Sequence, residues 1–234
     1  GLEGKSASGV LHAGFRLSQA GGYPLTLSTP DGAVADRVFV PEQYTGISYQ
    51  RMADGSFRYA DAATPNAENA PTGYLGRCAK PAYSVSGGLF QNGDMAMVEL
   101  SAEPGARIYY TLDCGDPDES STPYTGPIAV GATSVVRARA YMDGMLPSYM
   151  ESQTYLFGVS HTLDVVSLVA DPDNLTGPTG IHTNYQMDWE REGHVEVYTS
   201  AGDAVLSDNC GLKLHGADSR KLPQKNFKVI ARGE

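Results

Sequence analysis

The chain has 234 residues, which is enough for one large or two small domains. Its 17 Lys and Arg residues against 27 Asp and Glu residues give a formal charge of −10. This charge excludes a general nucleic-acid binder, whose affinity comes from neutralising phosphates, and no apolar run approaches the roughly 20 residues of a membrane helix. Hydrophobic residues make up an ordinary 41%, and the 27 glycines and 14 tyrosines indicate strands and turns. We therefore predict a mainly β fold.

The first predicted module covers residues 1–69. Its short runs are separated by Asp31-Gly32 and Asp54-Gly55, and Asp-Gly between alternating runs is typical of a β-hairpin. Residues rich in Ala, Thr, Pro and Asn follow without a period, and we predict a linker at 70–79.

The second predicted module covers residues 80–157. Runs such as Arg107–Leu112 and Ser134–Tyr141 alternate at the spacing of a small immunoglobulin-like (Ig-like) β-sandwich, with no room for a long helix. The side chains expected in its core are Ile108, Tyr110, Leu112, Ile128 and either Val135 or Val136.

The third predicted region covers residues 163–234 and has no closing element. It begins with Leu163–Val169, an apolar run suited to a buried strand. His194 and Glu196 form an HxE string, but a zinc deaminase also needs a downstream PCxxC, which is absent. We interpret the string as the polar face of a strand whose other face is apolar.

The three cysteines, Cys78, Cys114 and Cys210, are widely spaced and include no CxxC pair, which excludes a zinc ribbon. One disulfide with a leftover thiol, or three buried free thiols, are both compatible with this spacing. No secretory signal opens the chain. We interpret the sequence as a piece of a longer protein.

The middle module resembles the chitobiase/β-hexosaminidase C-terminal-type domain of bacterial surface proteins, through Ile108–Asp113, Asp116-Pro117 and Pro123–Ile128. The resemblance implies a small, non-catalytic Ig-like sandwich. Cys114 departs from the family pattern, which usually has glycine there, so the backbone of this turn is expected to differ.

The flanking regions resemble two other families. Gly21-Gly22, Asp31-Gly32 and Asp54-Gly55 are similar to the second half of a lamin-tail domain. Gly211–Gly216 and Pro223–Lys228 resemble the start of the spore-coat CotH family, which includes secreted atypical protein kinases. The fold class expected is thus an Ig-like sandwich between a partial β-sandwich and an incomplete α+β kinase-like start.

A basic string lies in the CotH-like region, where residues 205–234 contain six basic and three acidic side chains. By the resemblance, Ser219, Arg220, Lys225 and Lys228 would hold the phosphates of a nucleotide, since phosphate binding needs concentrated donors and positive charge. The alternative is a solvated hairpin whose basic residues face water.

These observations predict a modular secreted or cell-surface bacterial protein, with non-catalytic spacer or adhesion modules attached to a CotH-like domain. One alternative is an active CotH-like kinase in a longer protein, with ATP and Mg as its cofactors. Another is a carbohydrate-binding accessory module of a glycosidase, with tyrosines such as Tyr109 and Tyr141 stacking on sugars. For this chain we predict no catalytic residue, cofactor, metal site or phosphotransfer, and a cell-surface glycan or protein as partner. The acidic residues of the turn Asp113–Glu119 have two interpretations. They bind calcium, which prefers oxygen ligands, or they form Asx turns without any ion.

Overall fold

The computed structural model describes residues 14–159 and 161–232, and the mainly β prediction is confirmed. Residues 1–13 of the first predicted module and residues 233–234 of the third lie outside the described part. The chain divides into two units, residues 1–76 and residues 77–234. Within the described part, no helix has the length and apolar character needed to cross a membrane.

The first unit contains two antiparallel hairpins. Strand β1 (Tyr23–Ser28) pairs with β2 (Val34–Val40), and β3 (Ser48–Arg51) pairs with β4 (Phe57–Ala60). Both hairpin predictions are confirmed, and Gly32 in the first turn has a φ of +91°, a conformation that favours glycine.

The residues on either side of Gly76 are bonded to their own units. The backbone of Tyr74 exchanges hydrogen bonds of 2.8 and 2.9 Å with that of Tyr59 in the first unit. In the second unit, the Cys78 N–H donates to the Leu146 carbonyl at 3.0 Å.

Residues 80–157 form the Ig-like sandwich. Its strands are β5 (Ala82–Tyr83), β6 (Gly88–Phe90), β7 (Ala96–Val98), β8 (Leu100–Ser101), β9 (Arg107–Thr111), β10 (Thr122–Pro123), β11 (Ile128–Val130), β12 (Ser134–Tyr141) and β13 (Glu151–Phe157). One sheet has the order β10-β9-β12-β13-β6, and the short pairs β11–β7 and β5–β8 face it across the core.

The sandwich core agrees with the predicted alternation except at one position. Ile108, Ile128 and Val136 are buried in it, and Tyr110 packs at its margin. Of the two valines left open, Val136 therefore belongs to the core. The prediction for Leu112 is wrong, because β9 ends one residue earlier and Leu112 is 46% exposed at the turn that follows.

The C-terminal region forms a four-stranded antiparallel sheet, which we call the C-terminal sheet. Its strands, in spatial order, are β14 (Val165–Val169), β15 (Glu190–Tyr198), β16 (Ala204–His215) and β17 (Asn226–Ala231). A one-turn helix, α1 (Pro172–Leu175), and a 3-10 helix (Asp218–Lys221) lie in its connections. The prediction that the first strand is buried is wrong, because β14 lies at the sheet edge, where Val166 is 59% exposed.

One face of the C-terminal sheet is apolar. Val195, Leu212 and Leu214 pack there against Ala170 and Ile181, which belong to the connection between β14 and β15. Cys210 lies in the same cluster, and its burial raises the pKa of its thiol to about 11. All three cysteines are free thiols, with Cys78 and Cys210 buried, so the disulfide alternative is excluded.

Candidate functional site

The other face of the C-terminal sheet is polar and is buried against β13 of the sandwich. The alternation of β15 places His194, Glu196 and Tyr198 on this face and Val195 on the apolar one, as predicted. His194 and Glu196 are each only 1% exposed. The predicted polar face is therefore an internal surface, which we call the polar interface.

The carboxylate of Glu196 is the centre of the polar interface. It accepts the Thr154 backbone N–H at 3.2 Å, the Thr154 hydroxyl, and the Tyr198 hydroxyl at 2.6 Å. Burial is the main cause that raises the pKa of Tyr198 well above its ordinary value, and the hydrogen bond to Glu196 is the second. The Tyr198 hydroxyl therefore remains protonated and acts as a donor. These three hydrogen bonds replace the hydrogen bonds to water that the carboxylate loses on burial.

The polar interface also covers the part of the β13 edge that β6 does not pair with. Strand β6 pairs only with Tyr155–Phe157, so the preceding part of β13 has no strand on that side among the described residues. The Thr154 N–H donates to Glu196 at 3.2 Å, and the Asn209 amide donates to the Met150 carbonyl at 2.9 Å. Side chains of the C-terminal sheet thus occupy backbone groups that a neighbouring strand would otherwise take.

His194 continues this network within the C-terminal sheet. Its Nδ1 lies 3.0 Å from Asn209 Oδ1, and its Nε2 lies 3.1 Å from Ser207 Oγ. Because the Asn209 nitrogen donates to the sandwich, its oxygen is the acceptor, so the His194 Nδ1–H donates to it.

A second connection joins the acidic turn of the sandwich to α1. The fully buried side chain of Arg137 forms an ion pair with Asp116 at 2.7 Å and donates to the Cys114 carbonyl. The Asp116 N–H donates at 2.8 Å to Asp171, which also caps α1 by accepting the Asp173 N–H. Cys114 itself has a φ of +68°, in the left-handed region that favours glycine. The expected difference of this turn from the family backbone stays a prediction.

The carboxylates at this turn show no cation-binding arrangement. Asp113 accepts the Gly115 N–H at 3.0 Å, which is an Asx turn. Across residues 14–159 and 161–232, no group of three or more His, Cys, Asp and Glu side chains could hold a metal ion.

The four predicted phosphate ligands lie at the β16–β17 end of the C-terminal sheet. Arg220 forms an ion pair with Asp188 at 3.2 Å. The Lys225 ammonium donates to the backbone carbonyls of Arg220 and Leu222 at 2.7 and 2.8 Å. Ser219 precedes Arg220 in the 3-10 helix, and Lys228 lies exposed on β17. Two of the four predicted donors are therefore already bonded to protein oxygens, and the phosphate site stays a prediction.

Two tyrosines lie side by side on the outer face of the sandwich. The rings of Tyr109 and Tyr141 are 5.6 Å apart in an edge-to-face arrangement, and the Tyr141 hydroxyl donates to the Pro117 carbonyl at 3.0 Å. Tyr155, by contrast, is buried in the core.

The class that this structure defines is an Ig-like β-sandwich with a second sheet bonded to its edge. Residues 85–152 match the family model of the chitobiase/beta-hexosaminidase C-terminal domain, an Ig-like accessory module. This match confirms the resemblance predicted for the middle module and fits a non-catalytic role. It covers less than a third of the chain and ends two residues before Thr154. No curated protein matches the chain.

The resemblances of the flanking regions to the lamin-tail and CotH families stay predictions. Sequence reasoning also missed Thr154 and Arg137, because a threonine and an arginine in alternating strands are ordinary exposed residues. The alternation that places His194, Glu196 and Tyr198 on one strand face gives no signal of whether that face is buried.

Proposed function

We propose that residues 77–232 act as a rigid, non-catalytic spacer in a modular secreted or cell-surface protein. In this role, the Ig-like sandwich holds the C-terminal sheet in one orientation. The observation that supports the proposal is the buried Glu196 carboxylate, whose three donors come from both the sandwich and the C-terminal sheet.

Polar contacts of this kind favour one orientation because they are directional. An apolar contact keeps much of its free energy when two surfaces slide, whereas a buried carboxylate that loses a donor pays a desolvation cost of about 1–3 kcal/mol or more. The family match to an accessory module supports the non-catalytic part of the proposal.

The test is whether the sandwich and the C-terminal sheet tumble as one body. We expect ¹⁵N relaxation of the full chain to give the same rotational correlation time for residues 80–157 and 163–232. Glu196→Ala leaves three buried donors without their acceptor, and we expect it to separate the two correlation times and to speed proteolysis between β13 and β14.

Glu192→Ala is the matched control, since Glu192 is an exposed glutamate on the same strand. It should behave as the wild type does. Separate correlation times in the wild type, or no effect of Glu196→Ala, would contradict the spacer proposal.

A second candidate function is glycan binding by the outer face of the sandwich. The neighbouring rings of Tyr109 and Tyr141 support it, since aromatic faces stack on sugar rings. Titration of the full chain with chito-oligosaccharides should shift amides of β9 and β12, and Tyr109→Ala should abolish the shifts while Tyr185→Ala leaves them. Unchanged binding by Tyr109→Ala would exclude this site.

The nucleotide site of a longer CotH-like kinase is a separate prediction. In it, the phosphates of ATP are bound by four residues: Ser219, Arg220, Lys225 and Lys228. Phosphoryl transfer also needs metal-neutralised phosphates and an oriented acceptor. We expect no autophosphorylation by this chain and an ATP dissociation constant no tighter than about millimolar. Amide shifts on ATP titration, compared with Lys225→Ala, measure the contribution of the basic string.

A further inference from the structure

Two methionines occupy successive outward positions at β7 of the sandwich. Met95, directly before the strand, is 64% exposed, and Met97, within it, is 49% exposed. The alternating residues Ala96 and Val98 are buried in the sandwich core. Because side chains i and i+2 of a strand share a face, both thioethers lie on the same solvent-facing side of the sandwich.

The neighbouring strand β11 leaves space beside both methionines. Met97 lies opposite Ala129 in the antiparallel register. A Cβ on Gly131 would lie 3.7 Å from the terminal methyl carbon of Met95, so this side chain rests beside a glycine. Only a methyl group and a glycine therefore flank the two thioethers on this side.

The charge around the two methionines favours a cation. Glu99 continues the same outward face and is exposed, and Asp94, which directly precedes Met95, is exposed as well. The whole chain carries a formal charge of −10. A negative field of this kind raises the local concentration of cations.

The spacing of the two side chains allows both sulfurs to reach one ion. The Cα atoms of residues i and i+2 in a strand are about 6.7 Å apart. Each methionine side chain is unbranched and has three rotatable bonds, so the sulfurs converge above the strand without movement of the backbone. Thioether sulfur is a soft ligand, which selects Cu(I) over hard cations such as Mg²⁺ and Ca²⁺.

We propose that Met95 and Met97 form a surface site that binds one soft monovalent metal ion of the Cu(I) class through both thioether sulfurs. The proposal is independent of the spacer function, because neither methionine belongs to the polar interface. It differs from the sequence prediction of no metal site, since that prediction considered His, Cys and carboxylate ligands.

The free thiols are the competing soft ligands, and pH separates them from the methionines. Cys78 and Cys210 are buried, and Cys114 is half-buried. Burial also raises the pKa of the Cys114 thiol. A thiol must lose its proton to bind a metal, so binding at Cys114 weakens as the pH falls, whereas a thioether has no proton to lose.

The experiment titrates the full chain, labelled with ¹³C at the methionine methyl groups, with Ag(I) as a redox-stable probe of this class. We expect the methyl signals of Met95 and Met97 to shift together with one dissociation constant, which changes by less than about twofold between pH 7.5 and pH 5.5. Met95→Leu and Met97→Leu keep the side-chain size, and each should weaken binding at least about tenfold. Met187→Leu is the matched control, since Met187 is 44% exposed in the connection between β14 and β15.

A second titration, with Cu(I) held reduced by ascorbate and competed against a chromophoric Cu(I) chelator, should show the same order of variants. Cys114→Ser should retain the shifts of both methyl groups, and Mg²⁺ should cause none. The proposal is overturned if neither methyl group shifts at millimolar Ag(I), or if the shifts disappear in Cys114→Ser. It is also overturned if Met187 shifts with the same dissociation constant, or if Met97→Leu binds as tightly as the wild type at Met95, because the ion would then bind single exposed thioethers.

Discussion

The sandwich core and the polar interface are both buried, but they are built from opposite chemistry. The core consists of side chains such as Val98, Ile108 and Val136, which gain free energy in proportion to the apolar area removed from water. The polar interface consists of His194 and Glu196 with their hydrogen-bond partners, whose net gain is small but whose geometry is strict.

The sandwich core mainly determines stability, whereas the polar interface also determines the orientation of the two sheets. An apolar core tolerates rearrangement if its volume is kept, whereas a buried hydrogen-bonded carboxylate accepts few alternative arrangements. We therefore expect core substitutions to change mainly the free energy of unfolding. Substitutions at the polar interface should change both stability and the relation between the sandwich and the C-terminal sheet.

The largest effect is expected in the core. Ile108→Ala removes a buried side chain and should lower the free energy of unfolding by about 2–4 kcal/mol, from lost burial and the cavity left behind. Leu112→Ala, at the exposed end of the same run, should change it by no more than about 0.5 kcal/mol. Urea unfolding measures both, and similar losses in the two variants would remove the distinction.

The polar interface should show a smaller loss together with a change in motion. Thr154→Val keeps the shape of the side chain but removes one of the three donors to Glu196, at a cost of about 1–3 kcal/mol. Hydrogen exchange should accelerate along β13 and β15. Thr122→Val, at an exposed position of β10, is the control, and equal exchange in the two variants would show that the hydroxyl is dispensable.

Close backbone approach at the same interface gives a steric test. A Cβ on Gly87 would lie 2.5 Å from the Thr154 carbonyl oxygen and 2.6 Å from the Tyr198 hydroxyl. Gly87→Ala should therefore cost about 1–3 kcal/mol, since backbone atoms must shift. Gly126→Ala meets no atom within 4 Å and should be close to neutral. Unfolding midpoints in urea distinguish the two, and equal midpoints would mean that the interface yields easily.

The smallest effect is expected from the exposed ion pairs of the C-terminal sheet. The hydrogen bond from Lys213 lowers the pKa of Asp188, and that from Arg232 lowers the pKa of Glu190. Both carboxylates therefore stabilise the fold at pH values above their ordinary pKa values of 3.8 and 4.5. This stabilisation is lost as the pH falls below about 4 and the carboxylates become protonated. Exposed ion pairs contribute little, so the change should be small.

Thermal unfolding between pH 5 and pH 3 measures this contribution. Arg232→Met removes the partner of Glu190, so this variant should show a shallower decline of the unfolding temperature than the wild type. Parallel declines would indicate that the Arg232 pair does not contribute.

Local pattern was sufficient for much of the fold. The Asp-Gly turns of the first unit, the absence of helices between residues 80 and 157, and the two faces of β15 all follow from neighbouring residues. These features depend on backbone turn preferences and on the twofold alternation of strands, which a sequence displays directly. There are two exceptions. The run at Leu112 continues past the strand end, and the apolar run of β14 lies at a sheet edge rather than in a buried position.

Only the tertiary structure determined which polar residues are internal. His194 and Glu196 are as compatible with a solvated strand face as with a buried one, because alternation states only that they share a face. Their burial depends on β13, some forty residues away, whose edge is left open by the short strand β6. Sequence alone thus determined the strands and their faces, and contacts between distant strands decided which face water reaches, because burial is a property of the assembled chain.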